Sequence, residues 1–206
     1  MACSFFQKKK RIFEKTSSRF LFFLSKNLDL NHFRHIHTHR YILILDIDEV
    51  IVPLQHNTYA ELLDSIESST DAHRISSLSF SNVFKFPAKL EDASRPEHMY
   101  MLRNAMRSQK TSDRRNYGKS MTNTATVATV FNHFALHRLT QKVSGTMYVP
   151  EKLGIKLHYK STCPIEAHRE CPELQEDTIR DHSLDRFADE LERRVNRTLI
   201  ELNLLQ

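Results

Sequence analysis

Residues 41–53 read Tyr41-Ile42-Leu43-Ile44-Leu45-Asp46-Ile47-Asp48-Glu49-Val50-Ile51-Val52-Pro53. The first five residues form a β-branched and leucine run bounded by His39-Arg40 and by Asp46. Such a run predicts a strand buried on both faces, and hence a parallel or mixed sheet. Three acids then follow within four positions. In an extended chain, residues two apart point to the same side, about 6.6 Å apart along the strand. Asp46 and Asp48 are therefore expected to face together, with Ile47 turned to the core. Open α/β sheets bind ligands in the crevice at the carboxyl ends of their strands, which makes this a chemically privileged place for two carboxylates. The plainer alternative is a solvated acidic turn after a strand.

Outward from this stretch, Tyr59, Leu62, Leu63 and Ile66 fall at helical spacing, with Asn57 or Thr58 as the cap. Ser79 to Phe86 alternates phenylalanine with polar residues and stops at Pro87, predicting a second strand. Strand, helix and strand together predict an α/β fold. Residues 88–118 are charged, and Met99, Leu102 and Met106 make one apolar stripe. A helix is expected there, followed by an exposed loop through Ser112-Asp113-Arg114-Arg115. Thr124 to Phe131 and Gly154 to Tyr159 return to strand composition. Leu184, Phe187, Leu191, Val195 and Leu202 lie on one face of a closing amphipathic helix, assigned to residues 183–206. Residues 1–30 are basic and aromatic without a clean period, and read as an irregular or weakly helical lead-in.

Composition narrows the function. The chain has 206 residues, 40% hydrophobic and 27% charged, which suits one domain with a real core. Its net charge of +5 gathers in short clusters such as Lys8-Lys9-Lys10-Arg11 and Arg114-Arg115, not along one stripe. No zinc-finger, RNP-type or helix-turn-helix signature accompanies them, so no nucleic-acid partner is predicted. Only 3 glycines are present, too few for a Walker A or dinucleotide loop. Phosphate would have to be held otherwise, and a metal on carboxylates is the natural substitute. Phe20 to Leu24 is too short to span a bilayer, and no small-residue cleavage site follows it as in a signal peptide. Membrane association is therefore expected only through a segment outside these residues.

Two enzyme classes use such an acidic pair. Asp46-Ile47-Asp48-Glu49-Val50 resembles the opening motif of haloacid-dehalogenase-type phosphatases, in which Asp46 would accept the phosphoryl group and Asp48 act as general acid. That chemistry also needs a late acidic pair for Mg²⁺. The best candidate, Glu176-Asp177, has no apolar strand before it. The alternative is a GT-A glycosyltransferase, in which the pair holds Mn²⁺ on a sugar-nucleotide diphosphate.

The company of the motif favours the second. Tyr41 to Pro53, then Gly118-Lys119-Ser120, then Val130-Phe131-Asn132-His133, then Leu157-His158-Tyr159-Lys160 with Cys163 and Cys171 beyond, in that order resemble glycosyltransferase family 92 from about Asn31 to Asp177. The resemblance implies a GT-A-like α/β mixed sheet flanked by helices, occupying residues 31–182. It implies inverting transfer of a hexose, commonly galactose, from a UDP-sugar to a glycan acceptor, with a divalent cation such as Mn²⁺, by membrane proteins of the Golgi and secretory pathway. Carried across, Asp46 and Asp48 become metal and diphosphate contacts, His133 or His158 a further metal ligand, and Lys119 a phosphate contact. An inverting enzyme needs a carboxylate base, for which Glu91, Asp92 and Glu97 are equivalent candidates in sequence.

Cys163 and Cys171, each followed by proline in a segment poor in core residues, suit a disulfide-closed loop of an oxidising compartment. A competing reading is zinc held by His158, Cys163, His168 and Cys171. Asn196-Arg197-Thr198 is the one N-glycosylation sequon. Forty-five residues precede Asp46 and show no strand-helix-strand pattern. Much of a uridine-binding half is thus expected to be missing, and a non-catalytic remnant or binding module is the alternative to an active transferase.

Overall fold

The computed structural model describes residues 20–23, 39–87, 91–112, 118–130, 133–164 and 167–205. The buried run that opened the reading forms strand β2 (Tyr41–Ile44), with every residue buried. Within the lead-in, Phe20–Phe23 form strand β1 parallel to β2, where an irregular or helical segment was expected. The remainder of residues 1–30 lies outside the described residues.

Beyond the acidic turn come β3 (Glu49–Pro53) and helix α1 (Tyr59–Ser68). Thr58 caps α1 by accepting from the Glu61 amide at 3.2 Å, and the Glu61 carboxylate accepts from the Asn57 amide at 2.8 Å. Leu62, Leu63 and Ile66 are the buried face of this helix, matching the spacing. The predicted strand Ser79–Phe86 is instead divided. Residues Ile75–Phe80 form β4 and Asn82–Lys85 form β5, in different sheets, with the break at Ser81. Ser81 keeps its carbonyl paired, accepting from the Lys156 amide at 2.8 Å. One continuous run of sequence therefore crosses from one sheet to the other.

Among the described residues, the region read as a helix holds a single turn, α2 (Tyr100–Arg103), and Met106 opens strand β6 (Met106–Ser108). Spacing misled because Met99 is buried ahead of α2 while Met106 sits in an extended strand beyond it. Nor is Ser112 exposed: it is buried, and its amide donates to Asn82 O at 2.9 Å. Strands β7 (Lys119–Asn123), β8 (Val127–Val130), β9 (Ala135–Arg138), β10 (Ser144–Tyr148) and β11 (Gly154–Tyr159) follow. Helix α3 (Cys171–Glu176), β12 (Thr178–Arg180) and the closing helix α4 (Asp185–Glu201) complete the chain.

The strands make a five-stranded mixed sheet in the order β1-β2-β7-β4-β10 and a three-stranded mixed sheet in the order β3-β11-β5, with β12-β6 and β8-β9 as two-stranded ribbons. This is the α/β class expected. The larger core joins Tyr41, Leu43 and Leu45 to Leu62, Leu63, Ile66 and Phe80, so α1 covers one face of the five-stranded sheet. Ile42 and Ile44 pack against Val130 on the other face. A second core of Val52, Val83, Ile155, Leu157 and Tyr159 lies under Leu184 and Phe187 at the start of α4. The distal part of the predicted helical face is looser, with Leu191 and Leu202 exposed. Gly154 sits where β11 passes the buried ring of Phe80, and a Cβ there would lie 3.1 Å from that ring, a tight contact.

Candidate active site

Leu45 is the last core residue before the chain reverses, and the reversal is a tight turn closed by the Glu49 amide donating to Asp46 O at 3.1 Å. The extended alternation expected for residues 46–48 is therefore broken. Ile47 is not turned to the core but sits at the tip of the turn, 86% exposed. A hydrogen-bonded turn of four residues points its central side chains outward, whatever their polarity.

The two aspartates are consequently held by different partners. Asp46 Oδ2 lies 3.1 Å from Lys119 Nζ, and Asp48 Oδ2 lies 2.7 Å from Lys160 Nζ. Between them Glu49, a residue that motif reasoning passed over, is almost wholly buried. Its carboxylate meets Lys156 Nζ at 2.5 Å and Lys119 Nζ at 3.2 Å, and accepts from the Asp46 amide at 3.2 Å. Burial would raise the Glu49 carboxyl, but Lys156 and then Lys119 outweigh it and hold the group below the ordinary glutamate range. Asp48 is likewise lowered against the effect of burial, through its hydrogen bond from Lys160 and the neighbouring His158. Lys156 goes the other way: burial brings its ammonium down to about 8, with Glu49 offsetting part of the shift.

Strand alternation explains the convergence. On β11, Lys156 and His158 share a face, and register sets them opposite Ile51 and Glu49 of β3. On β7, antiparallel to β2, Lys119 comes beside the residues that end β2. His158 stacks on Phe84 with centroids 5.4 Å apart, and neither ring nitrogen has a hydrogen-bond partner among the described residues. Nε2 lies 3.6 Å from Asp48 Oδ2, and Nδ1 lies 3.7 Å from Glu49 Oε1. Burial first, then Lys156, lowers this imidazole to about 4, so it is neutral at pH 7.

A neutral, unpartnered imidazole beside a carboxylate is suitable chemistry for a divalent cation. Among the described residues, however, no three His, Cys, Asp or Glu side chains are gathered to hold one. The fit is thus to two protein donors, Asp48 and His158, with Asp46 on the other side of the turn. His133, the other proposed ligand, is exposed on the loop ahead of β9. Its Nδ1–H donates to Gly118 O at 3.1 Å and its own carbonyl accepts from Ser120 Oγ at 2.7 Å. The Gly118-Lys119-Ser120 segment and His133 therefore do meet, through the backbone.

The three candidate bases lie elsewhere. Glu91 pairs with Arg103 at 2.7 Å, and Asp92 accepts from the Ser94 amide and hydroxyl at 3.0 and 2.6 Å. Glu97 is exposed. Their segment is tied to α4 through Arg95 and Asp189, and Met101 packs on the second core, so it runs along the face of the three-stranded sheet opposite His158. On that same face sits a buried ion pair with no sequence signal, Lys85 Nζ to Asp181 Oδ2 at 2.8 Å. A cleft of about 470 Å³ lined by Leu54, Arg107, Ile155, Asp181 and Arg186 opens there and shares no residue with the acidic turn.

Cys163 and Cys171 form a disulfide, Cα to Cα 5.9 Å, so the zinc alternative is overturned. Glu176, part of the acidic pair a phosphatase would use, is exposed at the end of α3, and Asp177 caps that helix. Asn196 lies within α4, its side-chain oxygen 2.7 Å from His98 Nε2. No helix among the described residues is long and apolar enough to cross a membrane.

The model of glycosyltransferase family 92 matches residues 10–195 of the chain, which includes every element from β1 to most of α4. No curated protein matches it.

Proposed function

The chain belongs to glycosyltransferase family 92, and from that premise we propose that it transfers a hexose, galactose by family likeness, from a UDP-sugar to a glycan acceptor, with Mn²⁺ and inversion at the anomeric carbon. The observation that carries the proposal is the turn at Asp46–Glu49, where three carboxylates, three ammonium groups and a neutral imidazole converge at the end of a buried strand.

In this reading Asp48 and His158 are the protein donors to the cation, and Asp46 faces the donor sugar or diphosphate. Two protein donors would leave such a cation open to oxygen donors from the ligand or from water. A bound cation would neutralise the charge that develops on the diphosphate as the sugar–phosphate bond breaks. Lys119 beside Asp46 and Lys160 beside Asp48 would supply point charges to the diphosphate. The proposal assigns donor-side roles only. Glu91, Asp92 and Glu97 lie on the opposite face of the three-stranded sheet, so none of them is assigned the acceptor side.

A Golgi or other secretory-pathway location is part of the proposal. The Cys163–Cys171 disulfide supports it, because such bonds persist in oxidising compartments.

Isothermal titration of UDP in the presence of Mn²⁺ tests the reading. Saturable binding that is lost in Asp48→Asn is expected, together with transfer from UDP-galactose to a glycan acceptor. Unimpaired binding in Asp48→Asn would remove the turn from the site. Absence of any nucleotide binding would leave the chain a non-catalytic member of its family.

A further inference from the structure

The cleft at the start of α4 lies between the end of β3, strand β11 and the connection from β12 to α4, and encloses about 470 Å³. Leu54 and Ile155 give it an apolar wall, and Arg107, Arg180 and Arg186 stand around it. A space of that size, with an apolar wall and a few polar groups, is that of a small-molecule site and exceeds what a bare ion fills.

Its charge is not balanced. Asp181 is almost wholly buried and already taken. Lys85 Nζ lies 2.8 Å from one of its carboxylate oxygens, and the other accepts from the Ser183 amide at 3.0 Å with Arg107 Nε 3.6 Å away. Arg107, which also donates to Ser108 O at 2.8 Å, therefore has only a share in a carboxylate that Lys85 neutralises. Arg186 is fixed on the backbone carbonyls of Pro53, Leu54 and His56, its guanidinium 4.6 Å from the Phe187 ring centroid. Among the described residues, no carboxylate lies within 4.0 Å of a guanidinium nitrogen of Arg180 or Arg186, and the Arg180 side chain makes no hydrogen bond. The remaining acid, Asp185, is paired with His182 Nδ1 at 2.7 Å. Lys85 and three arginines thus face Asp181 and Asp185, an excess of two positive charges. Guanidinium groups hold their charge at any physiological pH and donate in a planar fork that matches an oxyanion.

We propose that this cleft is a second ligand site, for a sugar-sized molecule bearing one oxyanion, either a carboxylate or a sulfate ester. Arg180 binds the oxyanion, with Arg107 and Arg186 adding charge around it, and the C–H face of the sugar ring lies on Leu54 and Ile155. Arg107 and Arg186 also tie down backbone carbonyls, whereas Arg180 holds nothing else in place. The site does not depend on the transfer reaction. Ile155 points to the face of β11 opposite Lys156 and His158, and the cleft shares no lining residue with the acidic turn.

Calorimetric titration of the full chain at constant ionic strength tests this, with glucuronate, glucose 6-sulfate, glucose and inorganic sulfate as ligands. At least one acidic sugar is expected to bind about tenfold or more tighter than glucose and than inorganic sulfate. Tighter binding of glucuronate identifies a carboxylate as the recognised group, tighter binding of glucose 6-sulfate a sulfate ester, and equal binding the oxyanion they share. Arg180→Ala is expected to weaken that binding about tenfold, and Arg180→Lys to recover part of it, since lysine keeps the charge without the fork. Arg180 is exposed, so its replacement leaves the fold intact, which circular dichroism checks. Asp185→Asn removes an acid that competes for the same cations and is expected to tighten binding about threefold. Opposite signs distinguish a site from a general loosening of α4.

Glucose bound as tightly as the acidic sugars overturns the proposal, as does failure of both acids to bind. So does an Arg180→Ala that binds them as the natural protein does. Inorganic sulfate as tight as the acidic sugars would mean an adventitious ion only, and overturns it too. Saturating UDP with Mn²⁺ should leave the titration unchanged. Displacement by UDP would merge the cleft with the nucleotide site and end the claim of a second one, whereas failure of UDP to bind at all bears on the transfer reading alone.

Discussion

His158 has its ring stacked on Phe84 and both nitrogens shielded, in a setting charged by Asp48, Glu49, Lys156 and Lys160. Its folded pKa of about 4 lies below the ordinary 6.5. Between those values the unfolded chain takes up a proton that the folded chain refuses, so stability falls as pH falls through that window, by roughly 3 kcal/mol if all of it is crossed. Urea midpoints measured from pH 7 to 4.5 should decline, and the decline should be shallower in His158→Phe, which keeps the stacking and removes the proton site. Glu49, Asp48 and Asp181, all held below their ordinary range by lysine partners, add a further loss as pH falls through their folded pKa values. Asp181 permits a second residue-scale expectation. Asp181→Asn leaves Lys85 buried without its carboxylate, a change that costs about 3–5 kcal/mol in comparable settings. Chemical denaturation at pH 7 measures it, and a loss below about 1 kcal/mol would mean that the Asn104 carbonyl, which also accepts from Lys85, suffices.

Among elements, α1 shows how far local chemistry reaches. Its apolar spacing and its cap were legible because both are set within a few residues: Thr58 accepts from Glu61, and Glu61 answers Asn57. Thr58→Ala is expected to lower the unfolding free energy by about 1 kcal/mol, read from the urea midpoint at unchanged slope. The gap between β4 and β5 was not legible. Phenylalanine alternating with polar residues reads as one strand whether or not the chain changes sheets, and only the pairing of Ser79 and Ser81 with different neighbours separates the two. Met106 failed for a related reason. Helical spacing in sequence is compatible with a short turn followed by a strand, and the β12 partner that makes residues 106–108 extended lies some seventy positions away.

At the scale of the whole molecule, the Cys163–Cys171 link joins the loop after β11 to the first residue of the helix that packs on Phe84, and Cys171 is itself buried with Ala167 and Leu174. Its loop is short, with a sequence separation of 8, so the bond restricts the unfolded chain by only about 2–3 kcal/mol. Replacing both cysteines by serine should lower the thermal midpoint by an amount that dithiothreitol reproduces in the natural protein. A midpoint insensitive to reductant would show that the bond does not form in solution. What the sequence by itself determined is what neighbours along the chain can fix: a strand buried on both faces, acids directly after it, a capped helix and the apolar face of a closing one. Motif order also sufficed to point to the family. The direction of each acid was decided only by tertiary structure, because a hydrogen-bonded turn replaced the extended alternation and put Ile47 outside. The partners of Asp46, Glu49 and Asp48 are lysines 73, 107 and 112 positions away. Ion pairs between such distant groups depend on which strands lie side by side and in what register, and no local pattern of residues records that.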